Sequence, residues 1–254
     1  MGSLTYGGED LQEENPDITI INGHTGTVWL IGETFKLGVE AKGKDLADLN
    51  VGIIGARGAI GRTTTNLLVE MGVKNFVLHE INPKVAQGLE RRKARLERKP
   101  NMKVTMSSSK ENRKEAFDNV DIVISSASAR APFIEGESLA KRTIVIDDSQ
   151  PPSMSREEAE KGEVALLWPI GNISHDVERD FNYGVLGEFG CAIETVLLAS
   201  TNTEGINYTP NGRVDVDKIK RFDVIAKRFG ITVAVPQSFG IPVSLDMVKG
   251  TQVK

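Results

Sequence analysis

The run Val51-Gly-Ile-Ile-Gly55-Ala-Arg57-Gly58-Ala59-Ile60-Gly61 constrains this chain more than any other stretch. A β-branched segment enters three glycines spaced G-x-x-G-x-x-G, and a helical pattern through Leu67 and Leu68 follows. Gly55 suits a tight turn, Gly58 lets backbone approach a pyrophosphate, and Gly61 lets helix pack closely on strand. Amides at the helix start then point at phosphate oxygens. A glycine turn alone also occurs where nothing binds, so its surroundings decide. About 25 residues on, Phe76-Val-Leu-His-Glu80 reads as a strand ending in an acid. A dinucleotide-binding unit places its ribose-binding carboxylate there.

Gly55, Arg57, Gly58, Ala59, Ile60 and Gly61 are therefore the candidate cofactor contacts, with Glu80 on the adenosine ribose. The cofactor is NAD or NADP, and NAD is favoured, because a carboxylate repels a 2′-phosphate. Arg57, Lys84, Arg91 and Arg92 are the cations available to offset that repulsion. The basic stretch Arg91-Arg92-Lys93-Ala-Arg95 has no interleaved aromatics and reads as a solvated helix face rather than a nucleic-acid surface.

Strand and helix patterns alternate after the glycine turn. FVLHE is followed by a helix from about Val85 to Arg98, then KVTM, and short apolar runs at Asp121–Ser125, Thr143–Asp147 and Val164–Trp168. Such runs suit strands covered on both faces, joined by right-handed crossovers. The expected class is α/β, a doubly wound, mostly parallel Rossmann sheet with an N-terminal helix and C-terminal helices packed on it. Ile18–Ile21 reads as a short strand. A helix starting near Thr25 or Thr27 carries Val28, Ile31, Phe35 and Val39 on one face and ends at Gly43. Leu186–Ala199 and Val216–Arg228 read as helices and Ile231–Val235 as extended; the tail after Pro242 is polar and carries no signal. We divide the chain into 1–48 (arm, strand and helix), 49–200 (the nucleotide-binding domain) and 201–254 (helix and tail).

The 254 residues, 39% apolar and 26% charged, can bury a sizeable core. A net charge of -4 supplies no basic field for nucleic acid or anionic lipid. No apolar run reaches membrane-spanning length, and the acidic start does not resemble a signal peptide. One cysteine, Cys191, gives neither a disulfide framework nor a multi-cysteine metal site, and no metal is expected. It fits a reducing compartment, so a cytoplasmic location is the expectation.

Two segments extend the candidate site. Ser126, Ala127 and Ser128 follow a strand at the carboxyl edge of the sheet, where ligands of open parallel sheets bind. Asp147 and Asp148 end another strand; neighbours on extended chain point oppositely, and they read as loop or cap residues. In Gly187-Glu-Phe-Gly-Cys191-Ala-Ile-Glu194, a helix starting near Gly190 would place Cys191 at its amino end, where the dipole favours a thiolate. The other reading is a small buried hydrophobe.

The order of features resembles the long-chain acyl-[acyl-carrier-protein] reductases of the cyanobacterial type, near the shikimate-dehydrogenase-like Rossmann proteins. The stretches that carry it are Asn22-Gly-His24-Thr25-Gly-Thr27, Gly55–Gly61, Val145-Ile-Asp147-Asp148-Ser-Gln-Pro151, Gly187–Glu194, and Val214-Asp-Val-Asp-Lys-Ile leading to Ala226-Lys-Arg-Phe-Gly230. The resemblance implies that Cys191 takes an acyl group from a carrier thioester and that hydride from the nicotinamide releases an aldehyde. It implies His175 as a donor to the carbonyl oxygen or partner of the thiolate, and Asn22, His24 and Thr25 as substrate contacts.

Those reductases carry a substantial amino-terminal region, where this chain has about 50 residues. A second copy or another protein is the expected source of that part. They also have an Arg suited to NADP where this chain has Glu80-Ile81. Two alternatives stand beside an acyl reductase. One is a dehydrogenase of the shikimate or amino-acid kind that transfers hydride directly to a small ketone, alcohol or imine. The other is a non-catalytic NAD(P)-binding module that works with a partner.

Overall fold

The computed structural model describes residues 9–17, 20–81, 88–108, 111–127, 130–173, 187–201 and 214–249. In chain order its elements are α1 (Glu9–Glu14), α2 (His24–Lys42), β1 (Asn50–Ile54), α3 (Ala59–Met71), β2 (Asn75–His79), α4 (Leu89–Leu96), β3 (Lys103–Ser107), α5 (Glu111–Phe117), β4 (Ile122–Ser125), β5 (Ile144–Asp147), α6 (Arg156–Lys161) and β6 (Ala165–Leu167). Then come β7 (Ile170–Asn172), β8 (Glu188–Phe189), α7 (Gly190–Thr201), α8 (Val216–Arg228), β9 (Thr232–Val233), β10 (Gln237–Ser238) and β11 (Ile241–Pro242).

The six-stranded sheet has the order β3-β2-β1-β4-β5-β6, with every pairing parallel. Crossovers leave β1 in one direction and β4 in the other, so the doubly wound switch point lies between these two strands. Alternation along the strands builds two cores. Val51, Ile53, Ile144 and Ile146 face α2, α3 and α4, while Ile54, Val145 and Val123 face α5 and α6. Gly52 lacks a side chain where one would stand 2.5 Å from the Phe117 ring.

Helix α2 positions the rest. Lys42 Nζ donates to the Arg142 carbonyl at 2.6 Å and Lys44 Nζ meets Asp121 at 2.7 Å, both at the amino ends of β5 and β4. The helix thus runs antiparallel to the strands. Its 19 residues span about 28 Å, against about 16 Å for a five-residue strand. Its amino end therefore reaches the carboxyl edge of the sheet.

The sequence places α2's apolar residues on one face, but the helix is covered on two sides. Ile31 and Phe35 enter the sheet core, while Val28, Trp29 and Leu30 pack with Ile193, Leu197, Ile219 and Phe222 of α7 and α8. Trp29 Nε1 also donates to Asp223 at 2.9 Å.

Three local expectations need correction. Ile20 and Ile21 lie in irregular chain, because the backbone turns through left-handed Gly23 (φ 71°) into α2; Ile18 and Thr19 lie outside the described residues. The helix expected from Leu186 begins at Gly190, since Glu188 and Phe189 pair with β7 in a small antiparallel sheet, β8-β7-β9. The tail after Pro242, without signal in the sequence, is anchored: it leaves the β10–β11 hairpin, and Val248, 2% exposed, joins the core of Ile31 and Phe35.

Candidate functional site

Residues 55–61 turn from β1 into α3 at the switch point. Gly55 is left-handed (φ 79°), and the Gly55 and Ala56 amides bond the His79 carbonyl, joining the turn to the end of β2. A Cβ on Gly61 would lie 2.3 Å from the Gly55 carbonyl oxygen, so only glycine lets α3 start this close. No side chain caps that start at Gly58. The first-turn N–H groups of a helix have no acceptor of their own, so they remain for a ligand.

Glu80 is only 7% exposed, and its Oε2 accepts the Arg57 N–H at 3.3 Å. Burial raises its pKa, against the lowering effect of the Arg57 amide and guanidinium. Ser126 lies behind the glycine turn: its Oγ donates to the Ile54 carbonyl at 3.3 Å and would stand 3.0 Å from a Cβ on Gly61. Ala127 is buried beside it, while Ser128 lies outside the described residues. Ala59 and Ile60 are partly exposed in the first turn of α3. This cradle fits a dinucleotide, with Gly58–Gly61 for its phosphates and Glu80 for a ribose.

Beside Glu80 opens a cleft of about 490 Å³ lined by His79, Ile81, Arg113, Phe133, Ile134 and Glu158, among others. His79 is fully buried, its Nδ1 3.1 Å from Ser107 Oγ and its ring edge-on to Phe117 at 5.8 Å. Burial, and then the charge of Arg113, push its pKa down to about 4. It is therefore neutral at physiological pH.

A second group of side chains meets at the amino end of α2. Asn22 Oδ1 accepts the His24 N–H at 3.0 Å and shapes the turn into the helix. Gly23 presses against α7: a Cβ there would stand 2.3 Å from the Cys191 Cβ. Gly26 and Gly190 touch in the same way, a Cβ on either falling within 2.5 Å of the other's carbonyl oxygen. Between them, Glu194 Oε2 accepts the Gly26 N–H at 2.8 Å, and the Thr25 amide bonds the same carboxylate. Thr25 itself is 1% exposed and belongs to this cap.

Cys191 is exposed in the first turn of α7, which leaves the buried-hydrophobe reading without support. Its pKa is nonetheless raised, first by desolvation and then by the Asp148 carboxylate; the N–H groups of Ala192 and Cys191 only partly offset this. The expectation that the helix start would favour the thiolate therefore needs correction, because crowding and a nearby acid outweigh two amides. His175 lies outside the described residues.

The two acids at the end of β5 separate as extended neighbours must. Asp147 faces the α5–α6 side and accepts the N–H groups of Ser149 at 3.0 Å and Ser153 at 2.7 Å, a local turn lock. Asp148 continues the series Ile144, Ile146 toward the α2 side. Burial and the charge of Asp147 push its pKa up to about 8. The sequence shows the alternation, but only the side on which α2 packs tells which acid lies on the side of the cysteine, whose pKa its charge raises. Among the described residues, no cluster of three or more His, Cys, Asp or Glu suits a metal ion. No described helix is long and apolar enough to cross a membrane.

The sequence pattern of the semialdehyde dehydrogenase NAD-binding domain matches residues 50–179, just over half of the chain. The chain belongs to this family. It is thereby an NAD(P)-binding protein of a dehydrogenase and reductase family with a Rossmann fold. A search among curated proteins finds no match.

Solved structures similar to this family member include a dipicolinate synthase component from Bacillus halodurans, 16% identical, covering 57% of this chain and 46% of that one (TM-score 0.44). A shikimate 5-dehydrogenase from Listeria monocytogenes, in complex with shikimate and NAD, is 18% identical over 57% of this chain and 52% of its own (TM-score 0.42). The NAD-dependent malic enzyme of Thermotoga maritima is 16% identical over 72% and 46% (TM-score 0.46). The chain thus spans about half the length of these proteins.

Proposed function

We propose that this protein reduces an acyl thioester, carrier-bound or free, or a similarly activated carboxyl, to an aldehyde through an acyl group carried on Cys191. The observation that supports this most is the contact of Gly23 with Cys191 at the carboxyl edge of the sheet, where a nicotinamide belongs. It joins the two stretches that resemble acyl reductases, Asn22–Thr27 and Gly187–Glu194. A thiol at an exposed residue can exchange with a thioester once it loses its proton, and the Cys191 and Ala192 amides beside it can also hold a carbonyl oxyanion. Asn22 and His24 flank Gly23 at the same helix start. When bound, the reduced nicotinamide supplies the hydride that releases the aldehyde. We take NAD as the preferred cofactor on the strength of the Glu80 carboxylate.

Incubation with NADH or NADPH and a series of acyl thioesters tests this reading by aldehyde formation. Turnover that survives in Cys191→Ser overturns the covalent route.

A second reading, direct hydride transfer to a small ketone, alcohol or imine, draws support from the raised thiol pKa, which keeps Cys191 protonated near neutral pH. It predicts substrate-dependent cofactor oxidation that persists after the thiol is alkylated.

A further inference from the structure

We propose that Asp148 exchanges a proton with Cys191 during acyl transfer, so that the end of β5 supplies the acid and base of the reaction. This rests on the acyl-enzyme reading above. Three observations lead to it. Ile144 and Ile146 face the α2 core, and Asp148 is the next residue on that side. The Asp148 N–H is held by the Ser125 carbonyl at 2.9 Å, which fixes the backbone beside the cofactor edge. The amino end of α2 reaches the same edge and carries Gly23 against Cys191.

The neighbouring acids are occupied with structural work. Asp147 is bound by two amides and Glu194 caps α2. Of the two acids whose charges raise the thiol pKa, Asp148 weighs more than Glu194. The Asp148 side chain is half-buried.

The acyl-transfer step balances with Asp148 alone. The Cys191 S–H proton passes to the Asp148 carboxylate as sulfur bonds the thioester carbon. The tetrahedral adduct then collapses, breaking the carbon–sulfur bond of the donor, and the departing thiolate takes the proton from the Asp148 carboxyl. A carboxyl that titrates near neutral pH suits both directions. The other ionisable groups bearing on the pair are Asp147 beside Asp148, Glu194 one turn along α7, and Lys218 of α8 acting on Glu194.

The test compares wild type with Asp148→Asn and Asp148→Ser, each first shown to bind NADH as wild type does; the smaller serine serves if asparagine disturbs folding. Cys191 alkylation by iodoacetamide is followed against pH, and aldehyde formation from an acyl thioester is measured alongside. Removing the carboxylate should lower the alkylation midpoint by about half a pH unit or more. It should also slow aldehyde formation on the order of 100-fold.

An unchanged alkylation midpoint overturns the coupling of Asp148 to Cys191. Aldehyde formation at the wild-type rate in the Asp148 variants, with Cys191→Ser inactive, overturns the proton exchange and leaves the acyl-enzyme standing. Turnover retained in Cys191→Ser overturns the acyl-enzyme and this proposal together.

Discussion

Glu194 Oε2 accepts the backbone N–H of Gly26 at 2.8 Å, across 168 residues of sequence. A carboxylate at a helix start is favoured by the dipole and satisfies amides that would otherwise be buried unpaired. It also fixes α7, and so Cys191, against the amino end of α2. Glu194→Ala should destabilise the fold by about 1–3 kcal/mol in urea unfolding. Glu194→Gln, which keeps an acceptor oxygen, should lose less. An Ala variant as stable as wild type would mean that the amides find other acceptors.

Gly23 combines two constraints that no other residue type meets. Its φ is +71°, and a Cβ would overlap the Cys191 Cβ at 2.3 Å. Both neighbours are backbone-anchored, so the clash cannot be relieved by rotating a flexible side chain. Gly23→Ala should cost about 1–3 kcal/mol from strain and displace Cys191, seen as a changed alkylation rate at fixed pH. An Ala variant that alkylates at the wild-type rate would show that the turn adjusts without moving α7.

Features set by adjacent residues were legible in the sequence. The glycine turn, the strand alternation and the stop of α2 at Gly43, left-handed at φ 61°, each depend on neighbours a few positions away. What the sequence did not show depends on which faces meet. Val28 and Ile31 look alike in a periodic pattern, yet one packs on α7 and α8 and the other on the sheet. Glu194 reads as a solvated helix residue until α2 is known to start beside it. Asp147 and Asp148 are interchangeable in sequence and diverge only because α2 covers one face of β5.

Glu80 should set the choice of cofactor. Its carboxylate lies against the Arg57 amide at the end of β2, 7% exposed, where a 2′-phosphate would need to displace it or sit beside its charge. NADH should therefore bind more tightly than NADPH, by about tenfold or more in fluorescence titration, since an unpaired like-charge contact costs at least ~1.4 kcal/mol in so enclosed a site. Glu80→Ser should weaken NADH and improve NADPH, with Arg57 close enough to meet the phosphate. Equal affinities in wild type would assign Glu80 to holding the Arg57 turn alone.

His79 makes stability fall with acid. Its folded pKa is depressed from 6.5 to about 4 by burial and by Arg113. The unfolded chain takes up a proton as pH drops through 6.5, while the folded protein resists until about 4. The stability owed to neutral His79 is complete above 6.5 and lost between those values, amounting to roughly 3 kcal/mol for a shift of this size. Glu80, Asp147, Asp148 and Glu194 work in the opposite sense, since their raised pKa values favour the folded state as they protonate. They are common to wild type and His79→Phe, a replacement that keeps a ring against Phe117. The urea midpoint of the variant should therefore decline less between pH 6.5 and 4 than that of wild type. Parallel declines would show that a water or a shifted Arg113 lets His79 protonate inside the fold.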